Sequence, residues 1–333
     1  MKENKILSNV IKWIFIFGLL VFACVKNKEI MRKATLAILD IPTKTILICI
    51  VLANLYYVAE GAIICCMTKT CEHRLTIFQG ISCSYMCAFY KLATLGSGTA
   101  LAQLYYFNTK GIDVSRATGI ALSQYTFQKI TIGVYGVVSF VVLMAIGNEA
   151  LAKYTIYMVL GVIVISCICI FLFVITVSKK ISDFVMRIAR RIVKPNSRLH
   201  DKLDKAENSV NSLQEQGRII WKDKRLFITV VLLNIAKFTC WYGIPGIVFG
   251  TEFDVNMILC LALMSVCNMI GCVMLAPSGV GTLDYVFTMF FVSVVPLPEA
   301  VAAVLVIYRF FTWIMPFIIG TIPSALVKKE QVN

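Results

Sequence analysis

The chain has 333 residues, of which 59% are hydrophobic and only 15% charged, with a mean hydropathy of +0.82. These values exclude a soluble globular protein, a disordered chain and a secreted disulfide scaffold. The uncharged run from Tyr154 to Ser178 alone is 25 residues long, where roughly 20 suffice for a helix to cross a ~30 Å hydrocarbon core. The composition therefore predicts an all-α polytopic membrane protein.

In chain order, Lys2, Lys5 and Lys12 precede an apolar stretch ending Leu20-Val21-Phe22-Ala23-Cys24. It has the outline of a signal peptide, but a bulky Phe adjoins the small residue and later spans already anchor the chain, so an uncleaved first helix over 6–25 is expected. Five further spans are predicted at 45–67, 117–147, 154–178, 226–249 and 300–325. Two regions behave differently. Residues 76–95 are apolar, break at Gly96-Ser97-Gly98 and resume as a short arm over 99–109. Residues 255–275 are apolar, break at Pro277-Ser278-Gly279-Val280-Gly281 and resume as a short arm to Val295. Such short return arms are typical of re-entrant helical hairpins, whose irregular backbone is tolerated only when enclosed by protein or a wet cavity.

The charge is uneven. Residues 179–225 hold 13 basic and six acidic residues, half of the chain's net +14. Basic loops stay cytoplasmic, so the expected topology has both termini inside a plasma membrane. The 26–44 loop, with Lys26, Lys28, Arg32, Lys33 and Lys44, violates the rule by falling outside. The basic segment suits anionic lipid headgroups, and with no recognition motif a nucleic-acid partner is not expected. Within it, Leu199, Leu203, Ala206, Val210 and Leu213 predict an amphipathic helix lying on the membrane or on the protein.

The resulting organisation is an N-terminal helix and loop (1–44), a first repeat (45–147), a connecting span (148–178), the basic segment (179–225) and a second repeat (226–327). Each repeat reads span, broken hairpin, span, and the two run oppositely through the membrane. Inverted repeats with broken helices place a site between the copies. Two bundles that merely look alike are the alternative.

Intramembrane ionisable residues mark candidate sites, and six stand out: Glu60, Lys91, Lys129, Lys237, Asp284 and Arg309. Lys129 and Arg309 each follow a glycine break by about 30 residues, with Tyr125 and Tyr308 ahead of them. A shared inner cavity with this positive excess would favour an anion such as a phosphate, gripped by arginine and attracted by lysine. Snorkelling of Lys91, and simple pairing of Glu60 with a cation, are the plainer readings. The glycine breaks would offer backbone N–H groups to phosphate oxygens, with hydroxyls from Ser97, Thr99, Ser278 and Thr282. Gln103, Ser123, Gln124 and Gln128 form a polar stripe that suits either a wet cavity or interhelical hydrogen bonding. The 13 cysteines contain no CxxC and only His73 and His200 accompany them, so they read as packing residues and no metal or cofactor is expected. No catalytic constellation is visible.

Two stretches carry a family resemblance. The first runs Leu92-Ala93-Thr94-Leu95-Gly96-Ser97-Gly98, then Gln103-Leu104-Tyr105-Tyr106-Phe107, Lys110-Gly111-Ile112 and Ala117-Thr118. The second runs Pro277-Ser278-Gly279-Val280-Gly281, then Val295-Pro296, Tyr308-Arg309-Phe310-Phe311-Thr312 and Pro316 to Gly320. In order and spacing they resemble the lysylphosphatidylglycerol synthase transmembrane, or flippase-like, family, over about residues 5–327. The chain departs from the family pattern in having Gly98-Thr99-Ala100-Leu101 for Gly-Gly-Gln-Pro, Asp284 for glutamate, and Tyr308 for the tryptophan before the arginine.

The resemblance implies a bacterial or archaeal membrane protein whose best-known relatives move aminoacylated phosphatidylglycerol to the outer leaflet. There the region is joined to a soluble aminoacyltransferase domain, which is expected to be lacking here. A separate aminoacyltransferase or a second copy of the chain would then be the protein partner. The expected function is a lipid translocase, with Arg309, Lys129, Lys237, Asp284, Tyr308 and Gln128 at the membrane phospholipid's headgroup. Gly96, Gly98, Pro277, Ser278, Gly279 and Gly281 would supply the flexing hairpin loops. The family label offers an alternative, lysine transfer from lysyl-tRNA to phosphatidylglycerol. A secondary transporter of a small organic anion is the third reading.

Overall fold

A computed structural model describes residues 41–69, 71–94, 96–192, 198–273 and 281–330. The expected first span, most of the 1–44 segment and the second glycine break, with Pro277, Ser278 and Gly279, lie outside these residues. The described residues are all-helical. Five helical stretches are long and apolar enough to cross a membrane: Thr43–Thr68, Val114–Ile146, Thr155–Val177, Lys224–Phe253 and Pro298–Val327.

In order, α1 (Thr43–Thr68) is followed by α2 (Ile77–Ala93) and α3 (Thr99–Thr109), the two arms around the first glycine break, and then α4 (Val114–Ile146). The one-turn α5 (Glu149–Ala152) leads into α6 (Thr155–Val177), and α7 (Lys179–Ile192) and α8 (Arg198–Lys222) make up the basic segment. Then come α9 (Lys224–Phe253), the arms α10 (Met257–Val273) and α11 (Thr282–Val294), α12 (Pro298–Arg309), a π-helical turn (Phe310–Ile314) and α13 (Met315–Glu330). At 1.5 Å per residue, none of the four arms α2, α3, α10 and α11, of 17, 11, 17 and 13 residues, reaches ~30 Å.

Local chemistry fixes the boundaries. Thr76 and Gln79 form a reciprocal capping box at the start of α2, with bonds of 3.3 and 2.8 Å. Asp113 caps α4 through the Ser115 N–H at 2.8 Å, and Asp223 caps α9 through the N–H groups of Arg225 and Leu226. Pro298 opens α12 at its first turn, where a missing N–H costs nothing.

The helices pack in a recurring pattern. Along 43–146, α1 meets α2, α2 meets α3, and α3 meets α4; along 224–330, α9 meets α10, α10 meets α11, and α11 meets α12. The first arm of each broken pair also packs across to the other stretch, α2 on α13 and α10 on α4, while α1 and α9 make the most extensive pairing. Exchanging the two stretches leaves this set of neighbours unchanged. In lipid the crossings depend on close backbone approach. A Cβ on Gly80 would run into the Gly61 carbonyl oxygen, and one on Gly320 into that of Tyr85. Beside the second crossing, Phe89 and Phe317 stack at 5.0 Å.

By contrast, α6 exposes Ile156, Leu160, Ile163, Ile170 and Phe171, the all-round apolarity of a lipid-facing helix. The expected amphipathic helix is α8, and it lies on the protein. Its Ser212 oxygen touches α4 where Gly119 leaves room, Gln214 donates to the Ile175 carbonyl at 2.8 Å, and Leu213 and Ile220 are buried.

Gly80→Val is expected to destabilise the detergent-solubilised protein by at least about 1–3 kcal/mol, because a backbone carbonyl cannot rotate out of the way. Gly271→Ala meets only Leu283, at 3.5 Å, and should leave the thermal midpoint unchanged or slightly raised. Equal midpoint losses in the two variants would show that the α1–α2 crossing is not the tight one.

Candidate functional site

The structure brings most of the intramembrane charges into two ion pairs. Lys237 lies near the middle of α9 and is fully buried. Its ammonium pairs with the Glu60 carboxylate of α1, so the α1–α9 pairing carries a charge contact at its heart. The second carboxylate oxygen of Glu60 accepts from Gln124 Nε2 of α4 at 2.6 Å. Gln124 Oε1 in turn accepts from Gln103 Nε2 of α3 at 2.6 Å. The direction of this chain is forced: an ionised carboxylate only accepts, so Gln124 must turn its amide nitrogen to Glu60 and its oxygen to Gln103. The polar stripe thus acts, for these two glutamines, as interhelical hydrogen bonding. Ser123 and Asn234 leave Oγ and Oδ1 buried with no protein partner.

The second pair sits at the second glycine break. Gly281 has a φ of +81°, a conformation that side chains rarely adopt. It turns the chain into α11, whose Asp284 accepts the Gly281 N–H at 2.9 Å with Oδ2. Asp284 Oδ1 accepts from Arg309 Nε at 2.7 Å. Arg309 ends α12, and the helix then widens into the π turn, where the Met315 N–H bonds back to the Phe310 carbonyl. Pro316 has no N–H to offer the Thr312 carbonyl, and the Tyr57 hydroxyl reaches that oxygen instead at 3.4 Å. Such π turns are frequent at functional sites. Unlike Lys237, the Arg309 and Asp284 side chains keep 17% and 30% of their surface exposed, so this pair is accessible.

Aromatic rings join the two pairs. Tyr56 stacks on Trp241 at 3.7 Å, and Lys237 Nζ lies 5.6 Å from the Tyr56 ring. Lys91 sets its ammonium between Trp241 (5.5 Å) and Trp313 (5.6 Å), and the Arg309 guanidinium covers Trp313 at 4.4 Å. Lys91 therefore faces inward between two indoles, where the charges of Arg309, Glu60 and Lys129 act on it.

The remaining expected site residues are more scattered. Lys129 is partly buried with its amine 5.4 Å over the half-exposed Tyr125 ring, and Gln128 beside it is partly buried. Tyr308 is buried and stacks on Phe287 at 6.4 Å. Between Lys237 and Arg309 lie the rings of Tyr56, Trp241 and Trp313.

At the first break, Gly96 has a φ of +89° and donates its N–H to the Lys91 carbonyl at 2.7 Å. The Gly98 N–H bonds to Thr94 Oγ1 at 2.7 Å and the Ser97 hydroxyl to the Thr94 carbonyl at 2.8 Å. These donors are engaged within the turn. At the second break, the Thr282 hydroxyl is buried without a protein partner.

A family model described as the lysylphosphatidylglycerol synthase TM region matches residues 9–320. The chain belongs to that family. It is accordingly a multi-pass membrane protein of a family connected with lysylphosphatidylglycerol. No curated protein matches it. The second break and its arginine, which carry the more specific part of the resemblance, are the elements that the Asp284–Arg309 pair joins.

Trp241, Trp313 and Tyr56 carry no charge and escape a search for ionisable residues. A signal for them exists in the sequence. Four of the six intramembrane charges have an aromatic residue four positions away: Tyr56 with Glu60, Trp241 with Lys237, Trp313 with Arg309, Tyr125 with Lys129. Among the described residues, no cluster of three or more histidine, cysteine or acidic side chains is placed to hold a metal ion.

Lys237→Met alone should destabilise the protein by about 3–5 kcal/mol, because it strands a buried carboxylate. The double variant Lys237→Met/Glu60→Gln should recover much of that loss in thermal unfolding of the detergent-solubilised protein. Strictly additive losses in the double-mutant cycle would show that the two groups do not act as a pair.

Proposed function

We propose that the protein is a lipid translocase, with two inverted repeats, 45–147 and 226–327, that carry a phospholipid headgroup between leaflets while the acyl chains stay in lipid. The shared neighbour pattern of the two stretches and their broken helix pairs support the repeat reading, and inverted repeats suit alternating access. The basic segment at 179–225 supports an orientation with that face, and both termini, in the cytoplasm of a plasma-membrane protein.

The observation that carries the reading is the accessible Asp284–Arg309 pair at the second break. A phospholipid with an amine in its headgroup, such as an aminoacylated phosphatidylglycerol, presents both signs of charge. Its phosphate can take Arg309 while its ammonium takes Asp284, so the internal pair is exchanged for two external ones without leaving a charge bare. Lys91, against the same Trp313 ring as Arg309, adds positive potential there, and loosening of the Glu60–Lys237 contact between α1 and α9 would accompany the switch from one side to the other.

In proteoliposomes, Arg309→Ala is expected to lower leaflet-resolved transfer of lysylphosphatidylglycerol by at least about 100-fold, the scale of a lost charge-assisted pair, while Arg309→Lys keeps part of it. Protein yield and thermal midpoint should stay near wild type. Wild-type transfer by Arg309→Ala would remove this site from the translocation path, and uptake of a soluble organic anion without any lipid movement would overturn the translocase reading itself.

A further inference from the structure

Along α4 and α9 lies a concave feature, an apolar groove of 490 Å³. Its walls include Phe127, Val134 and Val138 of α4, Phe173 of α6, Trp221 of α8 and Val231 of α9. Thr126, Thr131 and Thr176 also face it, yet each hydroxyl is engaged by a carbonyl of its own helix, at 2.9, 2.8 and 2.7 Å. The wall therefore offers almost nothing polar to a ligand. Its volume lies in the range of small-molecule and cofactor sites, and it opens between membrane-spanning helices, where an acyl chain is the available occupant.

One end of the groove is built differently. Trp221 stacks on Phe227 at 4.6 Å and meets Phe173 edge-on at 5.6 Å, and Phe127 packs against Phe227 at 5.8 Å. Trp221 is 41% exposed, as an indole at a membrane–water boundary would be. Two chain junctions flank this end. Just beyond Thr176, α7 opens with Lys179 and Lys180; just beyond Trp221, the α8–α9 junction carries Lys222, Lys224 and Arg225, and all five are exposed. The acid among them, Asp223, is occupied in capping α9. A greasy slot thus ends in an aromatic collar under a cluster of cations.

We propose that this groove is a binding site for an anionic phospholipid, with one acyl chain lying along α4 and α9 and the phosphate held by the cations at the α6–α7 and α8–α9 junctions. The site is separate from the Glu60–Lys237 network and does not depend on translocation. Its lack of polar lining makes it unfit to pass a headgroup, so it holds a lipid rather than moving one. Bound there, the lipid ties α8 to the ends of α6 and α9.

The test uses the full chain in nanodiscs of phosphatidylcholine doped with phosphatidylglycerol brominated on its acyl chains, reading the fluorescence that Trp221→Phe removes. Brominated phosphatidylglycerol should quench the Trp221 contribution at low mole fraction, and brominated phosphatidylcholine only at far higher fractions. Lys222→Gln/Lys224→Gln/Arg225→Gln, confined to exposed positions, should raise the half-quenching fraction of phosphatidylglycerol on the order of 100-fold at low salt. Val134→Phe/Val138→Phe, also at exposed positions, should abolish the difference between the two lipids by filling the slot. Equal quenching by both lipids in the wild type would overturn the proposal. So would a preference that survives either variant, or quenching by brominated oleate as strong as that by phosphatidylglycerol. Because the readout is binding, loss of lipid transfer in any of these proteins neither supports nor weakens the lipid site.

Discussion

A charged side chain in the middle of a membrane has to find its opposite, and the contact between Lys237 and Glu60 is where this requirement acts most strongly. An isolated lysine at a helix centre costs roughly 3 kcal/mol on insertion scales. Lys237 is fully buried, so snorkelling to an interface is closed to it. The partner comes from α1, and its other carboxylate oxygen accepts from Gln124 of α4, itself held by Gln103 of α3. Four helices are thereby tied at one point by groups that none could leave unpaired. Glycine crossings such as Gly61 against Gly80 allow the backbones to approach; the polar network decides which faces meet.

The two ion pairs differ in burial and backing. In Glu60–Lys237 the lysine is fully buried and the glutamate keeps 15% of its side chain exposed, and the pair is backed by a hydrogen-bond chain, so opening it means separating α1 from α9. Asp284–Arg309 is shared with the surroundings, sits beside a glycine with positive φ, and hangs on a π turn that Pro316 prevents from closing as an α-helix. A pair with one member fully buried resists exchange more than one with both members partly exposed, where water can compensate each charge as it leaves. Trp313, Lys91 and Trp241 lie between them, so movement of Arg309 towards a ligand would disturb the packing that surrounds Lys237.

Much of the helical layout was legible from the sequence because the bilayer permits few alternatives. Apolar runs of sufficient length have to be helices, and the expected spans at 45–67, 117–147, 154–178 and 226–249 correspond to α1, α4, α6 and α9. The breaks at Gly96–Gly98 and before Gly281 were visible as interruptions of apolar character. The π turn was not, because a proline in an apolar run reads as a kink without saying which carbonyl is released or what takes it. The site was legible as a set of residue types and obscure as a set of pairs. Six ionisable residues stood out, but that Lys237 belongs to Glu60, 177 positions away, depends on how α1 crosses α9, and periodicity is silent on that. Lys129 shows the converse: its spacing after the first break matches that of Arg309, yet its neighbour is the half-exposed Tyr125 ring.

The polar network and the apolar groove share two helices and are kept apart differently on each. On α4, Gln124, which bonds Glu60, lies on the same three-and-four-residue stripe as Phe127, Thr131, Val134 and Val138 of the groove, so the two are separated along the helix rather than around it. On α9, Lys237 faces α1 while Val231 and Ile235 face outward into the same groove. Tyr135 also lines the groove, its hydroxyl near Thr239 at 3.3 Å and its ring edge-on to the buried Tyr242 at 5.2 Å. A headgroup attracted to the Trp221 end would meet no polar partner along the slot and would have to shed its hydration without compensation. The same two helices therefore carry both a polar network and an apolar groove. A rearrangement of α4 and α9 would alter both at once.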